Sequence, residues 1–103
     1  MSDWIEVGRI EDIPRLGARV VRTPQGNIAV FRNAEDQVFA LDDHCPHKGG
    51  PLSQGIVYDC KVACPLHNWR IDLASGHAVA PDEGQAAVHA VRLQDGRIFL
   101  SLR

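Results

Sequence analysis

The sequence predicts an all-β domain, an antiparallel β sandwich or partly open barrel carrying a loop-rich cap. Three observations predict it. Apolar runs of strand length recur between turn-forming residues: Arg19-Val20-Val21-Arg22, Ile28-Ala29-Val30-Phe31 and Val38-Phe39-Ala40-Leu41. Near the end, the stretches Val88 to Leu93 and Arg97 to Leu102 flank Gln94-Asp95-Gly96, a hairpin signal. Between these regions, the segment from Asp43 to about Gly55 is made of His, Cys, Pro, Lys and Gly and has little strand propensity.

In chain order, the one helical suggestion is Glu11-Asp12-Ile13, which Pro14 ends within a turn. Pro24-Gln25-Gly26-Asn27 turns the chain from the first run into Ile28, and Asn33-Ala34-Glu35-Asp36 joins the next two strands. The cap is expected at about 43–70, with a small hairpin from Ile56 to Ala63 inside it. A further loop at about 80–84 holds Pro81-Asp82-Glu83-Gly84. Ile98, Leu100 and Leu102 share one face of the last strand. With no repeat or linker, residues 1–103 read as a single domain.

The composition is that of a globular protein, 45% hydrophobic and 23% charged. A net charge of −2 with no basic stripe argues against nucleic acid as a partner. No apolar run approaches the ~20 residues of a membrane helix, and Met1-Ser2-Asp3-Trp4 has no signal-peptide pattern. A cytoplasmic location without membrane partners is therefore expected. The three cysteines leave one unpaired in any disulfide scheme, and in a reducing compartment a metal is the better use for two of them.

Two short pairs concentrate the chemistry: Cys45-Pro46-His47 and Cys64-Pro65-Leu66-His67. Each offers a thiolate and an imidazole from a tight loop. A [2Fe–2S] centre with two cysteines on one iron and two histidines on the other needs two such loops meeting tip to tip. The sixteen residues from Lys48 to Ala63 are enough for a hairpin that returns the second loop beside the first. Gly49, Gly50 and Pro51 allow close backbone approach, so amides could face the cluster sulfurs. Zinc can also bind two cysteines and two histidines, but structural zinc sites usually pair like with like, whereas both pairs here are mixed.

Other candidates have plainer readings. His44 reads as solvent-facing, His77 and His89 as sheet or surface residues, and Cys60 as an idle thiol in a polar turn. Trp69 would shield the site or simply pack in the core. Asp82 and Glu83 would form an acidic docking rim or a solvated turn.

The pattern C-x-H…C-x₂-H resembles the Rieske family. Cys45-Pro46-His47-Lys48-Gly49-Gly50-Pro51-Leu52, Cys64-Pro65-Leu66-His67-Asn68-Trp69 and Ala80-Pro81-Asp82-Glu83-Gly84 are similar to the small subunit of NAD(P)H-dependent assimilatory nitrite reductase. So are Trp4-Ile5-Glu6-Val7 and Ile10-Glu11-Asp12-Ile13-Pro14, and the likeness covers essentially the whole chain. The resemblance implies one [2Fe–2S] cluster on Cys45, His47, Cys64 and His67, with the Pro81 loop covering it. It also implies a large partner subunit with flavin, [4Fe–4S] and sirohaem, which reduces nitrite to ammonium. The small subunit would carry electrons and have no catalytic site of its own. High-potential Rieske proteins have cysteines where this chain has Gly50 and Leu66, and a serine and a tyrosine where it has Trp69 and Ile71, so a lower potential is implied. Two rival functions are a stand-alone Rieske ferredoxin serving an aromatic-ring dioxygenase and a non-redox interaction module.

Overall fold

A computed structural model describes residues 4–24, 26–46, 49–66 and 68–101. Among the described residues ten strands run in the order β1 (Trp4–Arg9), β2 (Gly17–Thr23), β3 (Gly26–Arg32), β4 (Val38–Asp42), β5 (Ile56–Tyr58), β6 (Lys61–Ala63), β7 (Arg70–Asp72), β8 (Val88–His89), β9 (Val91–Gln94) and β10 (Arg97–Ser101). They form three antiparallel sheets, β1-β10-β9, β2-β3-β4-β8 and β5-β6-β7. The all-β expectation holds. The helical suggestion before Pro14 is a single 3₁₀ turn, Ile10–Asp12. No helix among the described residues is long and apolar enough to cross a membrane.

The unbroken apolar run in β3 has a structural reason. Ile28 and Val30 point into one core with Ile13, Ala40, Ile98 and Leu100, while Ala29 and Phe31 point into a second core. Successive strand residues face opposite sides, so a strand buried on both faces cannot alternate apolar with polar. Leu41 of β4 joins the second core, which Leu52, Val57, Val62, Ile71 and Leu73 complete from the β5-β6-β7 side. The four-stranded sheet is therefore a middle layer, with β1-β10-β9 on one face and the small β5-β6-β7 sheet on the other. Cys45 and Cys64 both belong to the second side.

The structure corrects the expected strand boundaries at three places. Val88 to Leu93 is not one strand: Val88 and His89 pair with β4, and Val91–Gln94 pairs with β10, so the chain changes sheets at Ala90. The closing hairpin is tighter than expected, because Gln94 already pairs with Arg97. Asp95 and Gly96 alone make the loop, with φ of 53° and 76°. Two consecutive left-handed residues are what a two-residue hairpin matched to strand twist requires, and Asp-Gly supplies them. Likewise Thr23 pairs with Gly26, which places the first turn one residue earlier than the sequence suggests.

Candidate metal centre

The expected hairpin inside the cap is β5–β6, with Ile56 opposite Ala63 and Tyr58 opposite Lys61. It delivers Cys64 at the end of β6, and β7, which the sequence reading missed, lies alongside. Cys64 N–H donates to the Trp69 carbonyl at 2.7 Å, closing the second loop into a tight ring. Asn68 takes φ 57° within that ring. The first loop is closed twice: Cys45 N–H donates to the Gly50 carbonyl at 2.8 Å, and Gly49 N–H to the Cys45 carbonyl at 2.9 Å. Gly49, at φ 73°, thus spends its amide on the loop itself rather than on a sulfur.

Cys45 and Cys64 are both fully buried and lie in one core. Burial, reinforced by a hydrogen bond to the Cys45 thiol, pushes the Cys64 thiol up to about 11. Two adjacent buried thiols hold a proton tightly until a cation compensates the thiolate charge, which is the donor chemistry of a metal site. Leu66 N–H points at Cys64 Sγ from 3.4 Å, an amide positioned to stabilise charge on that sulfur. A soft, amide-supported thiol pair fits an iron–sulfur centre. The histidines expected to complete it, His47 and His67, lie outside the described residues, as does Lys48.

The two loops touch. A Cβ added to Gly50 would sit 2.9 Å from Leu66 Cδ1 and 3.3 Å from Cys64 Sγ. Glycine is needed at position 50 for space, and its φ does not demand it. Gly50→Ala asks Leu66, met at Cγ as well as Cδ1, to shift and the Cys64 sulfur to give by a few tenths of an ångström. Gly50→Val has no such relief and should reduce iron per chain to a small fraction of wild type, measured by iron assay and visible absorbance. Unchanged iron in the valine variant would mean that the loops need not meet here.

A third segment reaches the same end of the molecule. A Cβ at Gly84 would lie 3.0 Å from Pro46 Cβ and 3.9 Å from Trp69 Cζ3, so the 80–84 loop abuts both cysteine loops. Trp69 packs against the core that holds both cysteines. His44 is exposed, as expected. Cys60 is half-buried in the turn between β5 and β6, where Asn33 Nδ2 approaches its sulfur at 3.7 Å. His89 has a partner with no local sequence signal: its Nε2 lies 2.6 Å from Asp42 Oδ1.

Residues 3–94 match the model of the Rieske [2Fe–2S] domain. The chain belongs to the Rieske [2Fe–2S] family. This Rieske domain accordingly takes a single [2Fe–2S] cluster, and the protein is an electron carrier. It is 34% identical to the anthranilate 1,2-dioxygenase ferredoxin subunit of Burkholderia cepacia, over 99% of this chain and 94% of that one. Among solved structures it is similar to the Escherichia coli protein NirD, at 27% identity and a TM-score of 0.82, covering 97% of this chain and 96% of that one. A Mycobacterium tuberculosis protein described as an NADH-dependent nitrite reductase small subunit shares the Rieske fold, with a TM-score of 0.84 at 22% identity over 94% of this chain and 92% of that one.

Proposed function

We propose that this chain is the electron-transfer small subunit of an NAD(P)H-dependent nitrite reductase in nitrate assimilation. Cys45, His47, Cys64 and His67 hold the cluster, and the 80–84 loop covers it. The partner is a large subunit with flavin, [4Fe–4S] and sirohaem. The observation that carries this reading is convergence. The three segments whose residues resemble nitrite reductase small subunits, far apart in the chain, meet at one place: Gly50 against Leu66, and Gly84 against Pro46 and Trp69. A [2Fe–2S] cluster takes and gives one electron at a time, whereas nicotinamide gives a hydride, so the partner's flavin must split the pair. The chain's own residues bury the cysteine sulfurs and present Pro46, Leu66 and the 80–84 loop around them.

The 34% identity to an oxygenase ferredoxin favours a second reading, a stand-alone ferredoxin serving an aromatic-ring dioxygenase in the cytoplasm. Adding the purified protein back to each partner distinguishes the two. With a nitrite reductase large subunit stripped of its small subunit, NAD(P)H-dependent ammonium formation should rise with the iron-loaded protein and not with cluster-free His67→Ala. Hydroxylated product formed only with a ring-hydroxylating oxygenase and its reductase would select the second reading. Equal nitrite reduction with the cluster-free variant would take the cluster out of the electron path.

A further inference from the structure

We infer that Asp43 is a positioning residue for the cluster, its carboxylate tying the two ends of the first cysteine loop together. The inference rests on the reading that this loop carries two of the four ligands. Asp43 Oδ1 accepts the Ser53 backbone N–H at 2.7 Å, and Oδ2 accepts the Ser53 hydroxyl at 2.8 Å. One side chain thus makes two short hydrogen bonds across the mouth of residues 43–53, with Cys45 inside. Both anchor points are tied to the fold outside the loop. Asp43 N–H donates to the Asn27 carbonyl at the start of β3, at 2.9 Å. Ser53 follows Leu52, which is fully buried in the core shared with Cys45 and Cys64. Ser53 also sits in the 3₁₀ turn Leu52–Gln54, which leads directly into β5 and so towards the second cysteine.

Among the described residues from His44 to Pro51 there is no strand or helix, and the bonds Cys45 to Gly50 and Gly49 to Cys45 close the segment around the thiol. Without the carboxylate, each end keeps its own anchor, the Asp43 amide on Asn27 and the buried Leu52, but the direct tie between the two ends is lost. A ligand loop whose outer support is lost keeps its donors but holds them less firmly, and such losses typically cost about 10–100-fold in metal retention or activity. Asp43 touches neither sulfur in the structure, so its action on the centre passes through Ser53 and the loop.

The test uses the full-length, iron-loaded protein and follows loss of visible absorbance under an iron chelator. Asp43→Ala should lose the cluster roughly 10-fold faster than wild type. Asp43→Asn keeps an acceptor oxygen and should restore most of the lifetime. Ser53→Ala keeps its backbone N–H and should fall between wild type and Asp43→Ala. Circular dichroism should match wild type in all three, which separates positioning from general destabilisation. Wild-type retention in Asp43→Ala, or an asparagine variant as labile as alanine, would overturn the inference. If Asp43→Ala does not fold, the order of Asp43→Asn and Ser53→Ala still decides. The iron content of the wild-type protein tests the ligand assignment separately.

Discussion

A Cys64→Ala protein should bind almost no iron and yet keep most of its β circular dichroism. The wild type should be red-brown with about two irons per chain, and on reduction should give a rhombic EPR signal with an average g below that of an all-cysteine cluster. The reason for expecting separable fold and cluster is the division of the interior. Ile13, Ile28, Val30, Ala40, Ile98 and Leu100 form a core with no cysteine in it, packed between the four-stranded sheet and β1-β10-β9. Cys45 and Cys64 lie in the other core. Cluster binding energy coupled to folding should therefore act mainly on the β5-β6-β7 side. That side shares Ala29, Phe31 and Leu41 with the middle sheet, so it should loosen rather than detach. His67→Ala should behave in the same way. A Cys64→Ala protein that keeps the visible spectrum would overturn the ligand assignment. One that unfolds globally would show that the cluster supports the whole domain.

What the sequence made legible follows from how local each signal is. The Ile56–Ala63 hairpin, found where expected, and the turn at Asp95-Gly96, one residue shorter than expected, are written in residues a few positions apart. The sheet exchange at Ala90 is not, because an apolar stretch looks the same whether its neighbours belong to one sheet or two. β1 carries no clear strand pattern in the sequence, because its pairing with β10 is interrupted by a register shift between Glu6 and Gly8 that blurs the alternation. β7 has only three residues, too few for a period to show. The Asp42–His89 contact joins residues 47 positions apart and leaves no local trace. Asp43 and Ser53 illustrate the same limit. An aspartate before a cysteine loop reads as a turn residue, and only the fold brings the serine hydroxyl and amide onto its carboxylate.

The reduction potential should lie near the low end of the Rieske range, about −150 mV. Hydrogen bonds to the cluster and its cysteine sulfurs spread the charge of the added electron, so each donor raises the potential. Among the described residues, the Leu66 amide is the donor found on a site sulfur. The positions where high-potential relatives have a serine and a tyrosine hydroxyl are Trp69 and Ile71. Ile71 is fully buried and apolar, in the same core as both cysteines, and has no donor to offer. Trp69 packs against that core, abuts the 80–84 loop and carries no hydroxyl. Spectroelectrochemical titration of the wild type followed visibly should give the low midpoint, and Trp69→Ser should move it upward if the new hydroxyl reaches sulfur. Ile71→Tyr is the harsher variant, since the ring must fit a filled core, and a fall in iron content would accompany any gain in potential. A wild-type midpoint above zero would mean that burial or charge, rather than missing donors, controls how tightly this cluster holds its electron.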